Sequence, residues 1–310
     1  MSIAFVFPGQ GAQTIGMGAT LAETYPAARA VFEEVDEALG EKLSDLIWSG
    51  EIEALTLTEN AQPALMATSM AAMAALKAEG IGLERSAFVA GHSLGEYSAL
   101  CAAGAVSLAD TARLLRIRGR AMQAAVPVGQ GAMAAVLGLE ADAVEKVAEA
   151  AAQGEICQLA NENDPTQNVI SGSKAAIERA VVLAKEAGAK RALPLPVSAP
   201  FHCALMQPAA DEMARALEAV QFDDPTVPLV ANVLAESVSD ATRIKALLVE
   251  QVTGRVRWRS SVEWMVAQGV DEFWEIGAGK ALSGMIRRIA KETTCRAIGT
   301  PDDVAAVKDA

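Results

Sequence analysis

The sequence predicts an α/β protein of two unequal units: a larger one on a mainly parallel sheet, and a smaller one of order βαββαβ inserted into it. Three observations predict this. Ile3–Phe7 and Phe88–Ala90 are short apolar runs closed by glycine-bearing turns, the pattern of strands buried on both faces. Capped helical segments separate such runs along the chain. Between residues 132 and 195 the order changes to two βαβ halves joined back to back. With 310 residues, 52% of them hydrophobic, the chain can bury one large core or two unequal ones without disulfide or metal staples.

Taken in order, Ile3–Phe7 runs straight into Pro8-Gly9 and reads as a strand rather than a signal peptide, because no basic segment or cleavage signature accompanies it. Pro26 opens a helix through Leu39, with Gly40 just past its end, and a second helix starts near Asn60–Pro63 and runs to Leu76. After the strand at Phe88–Ala90, residues Leu94–Ala103 form a helix ended by Gly104. Ser107 and Asp110 cap the next helix, which Pro127 and Gly129 terminate. Then follow strand 132–137, helix 140–152, strands 156–160 and 168–171, helix 174–187 and strand 190–195. Pro194, Pro196 and Pro200 mark the exit. A strand at 227–233, a capped helix at 260–268 and a strand at 272–276 complete the reading. The expected units are residues 1–125 with 198–310, and residues 126–197.

Lys and Arg total 26 against 39 Asp and Glu, a net charge of -13, which argues against a general nucleic-acid or anionic-membrane binder. An anionic partner must meet a local basic patch. The four cysteines are too scattered for a zinc site or redox dithiol, so a reduced, cytoplasmic setting is expected. The uncharged stretch Ala121–Leu139 is broken by proline and glycines and is not a membrane span.

Gly91-His92-Ser93-Leu94-Gly95 is a G-x-S-x-G pentapeptide between an apolar strand and a helix. In that context the glycines permit a sharp turn that exposes the serine at a helix N-terminus, where developing negative charge is favoured. A serine needs a base, and the chain has only two histidines. His92 adjoins Ser93 and points to the opposite face, so His202, in the irregular segment 198–203, is the base by elimination. Pro8–Gln13 lacks the third glycine of a dinucleotide site; it is either a plain tight turn or, near Gln10, a backbone donor that forms an oxyanion hole with the N–H of Leu94. Gly277–Lys280 fails as a phosphate loop, since Trp274 and Ala281 occupy required positions.

Taking Arg113 as zero at about 100° per residue, Arg116 and Arg120 fall at about 300° and about 340°, and Arg118 at about 140° toward Leu114 and Met122. Three arginines form a stripe, and Arg118 faces apolar neighbours. A guanidinium there needs a carboxylate, either from an internal Asp or Glu or from a ligand.

Residues Phe5–Gly11 (FVFPGQG), Gly91–Ala99 (GHSLGEYSA), Arg118–Met122 (RGRAM) and Pro200–Met206 (PFHCALM) resemble the malonyl-CoA:acyl carrier protein transacylases. The resemblance extends in order from residue 3 to about residue 290 and includes Gln62–Leu65 and Asn161–Gln167. It implies an α/β-hydrolase-like large domain with a ferredoxin-like insertion. Carried over by residue, it makes Ser93 the acylated nucleophile, His202 the general base and acid, Gln10 and Leu94 the oxyanion hole, and the main-chain carbonyl of Gln251 the group that orients His202. Arg118 would bind the malonyl carboxylate. Gln62, Met122, Asn161, Asn163 and Phe201 would line or position the pocket. Ala278 stands where related sequences often have proline, and Ala12 where many have serine.

The implied reaction is ping-pong transfer from malonyl-CoA to the phosphopantetheine thiol of holo acyl carrier protein in fatty-acid synthesis, with no cofactor or metal, by a monomer. Arg113/Arg116/Arg120, Lys190-Arg191 and Arg255/Arg257/Arg259 are candidate patches for the acidic carrier. A serine esterase or thioesterase, and a non-catalytic carrier-docking module, are the competing readings.

Overall fold

Two sheets divide the chain. The computed structural model describes residues 2–197 and 199–308; Ser198, where the return to the larger unit is expected, lies outside the described residues. The strands are β1 (Ile3–Phe7), β2 (Ser86–Gly91), β3 (Gly131–Leu137), β4 (Cys157–Asp164), β5 (Gln167–Ser173), β6 (Arg191–Pro194), β7 (Leu229–Val230), β8 (Ser237–Val238), β9 (Glu272–Ile276) and β10 (Thr294–Ile298). Six form one sheet in the order β10-β9-β1-β2-β7-β8, parallel throughout except for β8. The other four form an antiparallel sheet in the order β4-β5-β3-β6. The fold is therefore α/β, with a mainly parallel sheet and a separate antiparallel one.

Alternation of side chains along β1 explains why it sits inside. Phe5 and Phe7 enter one apolar cluster with Phe32, Leu65 and Trp274, and Ala4 and Val6 enter another with Trp258 and Phe273. The Phe5 and Trp274 rings stack at 5.2 Å. The smaller unit has its own core, in which Val136 and Ile170 of its sheet meet Val144 and Ile177 of its two helices. Backbone bonds join the units through β4: Val256 N–H donates to Ala160 O (2.8 Å), and Val256 O accepts from Glu162 N–H (2.9 Å).

The helices at Pro26–Leu39, Gly95–Ala102 and Leu108–Ala124 agree with the sequence reading, and Ser107 caps the last by accepting from Asp110 N–H at 3.1 Å. Other elements differ. The second helix begins at Thr58, so Pro63 lies inside it rather than in its first turn. The helix expected at 260–268 begins at Trp258 with no side-chain cap; Ser260 Oγ donates to Glu162 instead. The strand expected at 227–233 keeps only Leu229–Val230, because the chain turns at Ala231–Ala235 and draws the Asn232 amide inward. Helices Gln207–Glu218, Ala241–Thr253 and Ala281–Ile289, and strand β10, were not expected.

Candidate active site

The loops after β1, β2 and β9 open on one cavity of about 410 Å³, lined by Gly9–Gln13, His92–Leu94 and Ala281–Leu282. β1 is flanked by β2 on one side and by β9 on the other, so the crossovers reverse direction there. Ligand sites of parallel sheets lie at the carboxyl ends of strands at such a point. The small sheet closes the other side with Met133, Val169 and Asn161.

Ser93 occupies a sharp turn between β2 and the helix Gly95–Ala102, at a φ of 54°. Such a backbone costs about 1–3 kcal/mol for a non-glycine residue and persists only where its surroundings hold it. The Asn232 side chain does so by accepting from Ser93 N–H (2.8 Å) and donating to Gly91 O (2.7 Å). Gln251 Nε2 donates to Ser93 O at 2.9 Å. The two glycines are needed for space: a Cβ on Gly91 would lie 1.9 Å from the Gly95 carbonyl, and one on Gly95 would lie 2.2 Å from Phe7 O.

His202 Nε2 stands 2.8 Å from Ser93 Oγ. Its Nδ1 is 2.9 Å from the main-chain oxygen of Gln251. A carbonyl only accepts, so Nδ1 carries the hydrogen and Nε2 presents its lone pair to the serine hydroxyl. Gln251 lies in the last turn of the helix Ala241–Thr253, where backbone carbonyls have no partner within the helix and form the negative end of its dipole. Burial, reinforced by the charge of Arg118, pushes the His202 imidazole down to about 3, so it rests neutral. His92 faces away from the hydroxyl: its Nε2 is 2.9 Å from Asn163 Oδ1, and its ring lies against Trp258.

Arg118 is 1% exposed. Gly119 next to it lets the helix Leu108–Ala124 approach its neighbour closely, since a Cβ there would lie 2.5 Å from the Cα of Glu59. The guanidinium donates from Nη1 to Gln62 Oε1 (2.8 Å), and from Nη2 to Gln251 Oε1 (2.7 Å) and Ser93 Oγ (3.1 Å). All three partners are neutral, and the Tyr97 ring lies 5.6 Å from its centre. Arg116, expected on an open stripe, is buried and paired with Glu41 and Asn60, which leaves Arg113 and Arg120 as that helix's exposed arginines.

Gln10, Leu94, Gln62, Met122, Asn161, Asn163 and Phe201 all line the cavity, and Gln251 stands behind it. Among the described residues, the backbone N–H groups of Gln10 and Leu94 donate to no protein acceptor. No group of His, Cys, Asp and Glu among the described residues could hold a metal ion. The sequence reading missed Asn232 and Glu96. Glu96 is 1% exposed and accepts from Gln251 Nε2 (2.8 Å) and Asn232 N–H (3.2 Å). Burial pushes its carboxyl up to about 7 against those hydrogen bonds and the Arg118 charge. Its proximity to Ser93 was the one available signal; Asn232 carried none. Leu282 and Met285, from an unexpected helix, complete the wall.

Residues 4–302 match the family model of the acyl transferase domain. The malonyl CoA-acyl carrier protein transacylase of Bacillus subtilis (strain 168) is 48% identical over 303 residues, which cover 97% of this chain and 95% of that protein. The chain belongs to the malonyl CoA-acyl carrier protein transacylase family. Among solved structures, an acyl-carrier-protein-S-malonyltransferase from Bartonella henselae superposes on this transacylase-family chain with a TM-score of 0.97 at 58% identity, covering 99% of this chain and 98% of that one. A malonyl-transacylase in complex with its type II PKS acyl-carrier protein superposes with a TM-score of 0.97 at 42% identity, covering 100% of this chain and 99% of that one.

Proposed function

We propose that this transacylase-family chain is an acyltransferase that moves the malonyl group of malonyl-CoA to the phosphopantetheine thiol of acyl carrier protein through an ester on Ser93. The observation that carries this reading is the Arg118 guanidinium, buried, hydrogen-bonded among the described residues to neutral side chains only and 3.1 Å from Ser93 Oγ, which suits it to take a substrate carboxylate beside the nucleophile.

Ser93 Oγ attacks the thioester carbon as its proton passes to His202 Nε2. The Gln10 and Leu94 N–H groups receive the oxyanion, and the carbonyl of Gln251 steadies the imidazolium. The C–S bond breaks, the Nε2 proton goes to the thiolate, and coenzyme A leaves. The carrier thiol then gives its proton to Nε2 and attacks the ester, and Ser93 Oγ leaves with that proton. A malonyl carboxylate on Arg118 also cancels one of the charges that hold His202 down, which makes the base stronger when substrate is present. Gln62 fixes the guanidinium, Met122 and Phe201 shape the acyl pocket, and Asn161 and Asn163 hold its far wall. No step calls for a cofactor.

In this reading residues 1–125 and 198–310 form an α/β-hydrolase-like domain and residues 126–197 a ferredoxin-like one, supported by the strand order β4-β5-β3-β6. The site works in the cytoplasm and serves fatty-acid synthesis; no helix among the described residues is long and apolar enough to cross a membrane. Lys190 and Arg191, exposed and without an ion pair among the described residues, are the best remaining patch for an acidic carrier, since Arg113, Arg116, Arg120, Arg255 and Arg259 pair with carboxylates. The deciding experiment is the intact mass after exposure to malonyl-CoA. A malonyl ester lost on adding holo carrier protein supports transfer, free malonate indicates a hydrolase, and an unchanged mass indicates a docking module.

A further inference from the structure

Gln251 is hydrogen-bonded to four residues at the site. Its main-chain oxygen takes the His202 Nδ1 hydrogen (2.9 Å), its Oε1 takes a hydrogen from Arg118 (2.7 Å), and its Nε2 gives hydrogens to Ser93 O (2.9 Å) and Glu96 Oε2 (2.8 Å). The two ends of a side-chain amide have nearly the same shape, so packing alone does not choose between its orientations. Hydrogen bonds choose here. A flipped amide would set NH2 against the N–H groups of Arg118, and a carbonyl oxygen against the two acceptors Ser93 O and Glu96 Oε2.

One of these three votes changes during turnover. When Arg118 takes up a carboxylate, as the proposed function requires, its donors are shared with the ligand and its hold on Gln251 Oε1 weakens. Ser93 O alone then opposes the flip, unless Glu96 is counted. Glu96 is well suited to this: it is buried, it lies in the first turn of the helix that follows Ser93, and no Lys or Arg forms an ion pair with it among the described residues. The same oxygen accepts from the backbone of Asn232, whose side chain holds Ser93 N–H, so one carboxyl oxygen ties together the supports on both sides of the nucleophile.

We infer that Glu96 is a positioning residue which locks the Gln251 side-chain amide in the orientation that serves Arg118 and Ser93 while substrate is bound. It touches no reacting atom. The inference rests on the malonyl-transfer reading for its setting, but its geometry concerns Glu96 and Gln251 alone.

A double-mutant cycle tests it in the full chain. Glu96→Met removes the acceptor at similar volume, Glu96→Gln can keep one, and Gln251→Met removes the amide while leaving the carbonyl that His202 uses. The expected outcome is that Glu96→Met loses roughly 10- to 100-fold in kcat/KM for malonyl-CoA, the scale of a misplaced reacting group, with KM raised because Arg118 loses an oriented partner. Glu96→Gln recovers most of that loss. In the Gln251→Met background, Glu96→Met costs little more. Additive losses across the cycle, or equal losses in Glu96→Gln and Glu96→Met, would overturn the inference, since either means that Glu96 acts on stability alone or by another route. Melting temperatures identify variants that fail to fold, and the Glu96→Gln comparison is read in their place. The cycle is also read through the rate at which a neutral fluorophosphonate labels Ser93. Should the wild type be labelled without transferring malonyl groups, the functional reading fails, and the labelling cycle still decides the role of Glu96.

Discussion

Arg118 Nη2 donates to Ser93 Oγ across 3.1 Å, although 25 residues separate them in sequence and Arg118 lies not on the helix that follows the serine's turn but on the next one, Leu108–Ala124. A buried cation so placed reads the substrate's free end at the point of reaction. Arg118→Ala is expected to slow malonyl transfer by roughly 30-fold or more relative to transfer of an uncharged acetyl group, the cost of leaving a desolvated charge without its partner. Paired kcat/KM measurements with malonyl-CoA and acetyl-CoA check this; equal losses would remove the assigned role.

Burial and the Arg118 charge hold the His202 imidazole at about 3 in the folded chain, well below its ordinary 6.5. Between these values the unfolded chain binds more protons than the folded one, so this group's contribution to stability is full above 6.5 and is lost as pH falls toward 3. Its basicity as a resting group persists over the same range. Fluorophosphonate labelling of Ser93 is therefore expected to show no fall near pH 6.5. The measurement is cleanest in Glu96→Gln, which lacks the carboxyl that titrates near 7. A drop centred near 6.5 in that variant would show an ordinary, solvated imidazole.

Two glycine substitutions should move stability in opposite directions. Gly95→Ala drives a Cβ into the Phe7 backbone oxygen at 2.2 Å, an overpacking that costs about 1–3 kcal/mol. Gly284 sits in the helix Ala281–Ile289, where a Cβ meets only the flexible end of Arg288 at 3.7 Å, and Gly284→Ala should stabilise by about 0.5–1 kcal/mol. Thermal unfolding of the two variants reads the sign of each.

Asn232→Ala leaves Ser93 N–H and Gly91 O without their partner inside the protein, at about 1–3 kcal/mol for each unsatisfied group. The melting temperature should fall, and Ser93 labelling should slow because the turn relaxes. Unchanged labelling at a lowered melting temperature would limit Asn232 to stability.

The elements near the serine were legible because their signals are local. A strand, two glycines and a helix start follow one another within Ser86–Ala102, and the steric demand on Gly91 and Gly95 arises inside that segment or against the adjoining strand. The choice between two histidines was a matter of count. Asn232 was hidden inside an apolar run that read as a strand, since nothing local announces that its amide turns inward to hold a loop 139 residues away. The helices Ala241–Thr253 and Ala281–Ile289 likewise have meaning mainly through what they touch, the first giving its last-turn carbonyl to His202 and the second a wall to the cavity.

By itself the sequence determined the α/β class, the serine in its turn and the guanidinium facing inward, because periodicity, capping and turn chemistry act over a few residues. Tertiary structure alone decided that Arg118 hydrogen-bonds only to neutral side chains among the described residues, that Glu96 and Asn232 support the turn, and which arginines are cancelled by carboxylates. Those are matters of distance between segments far apart in the chain, and hydrogen bonding and charge pairing depend on distance in space rather than along the sequence.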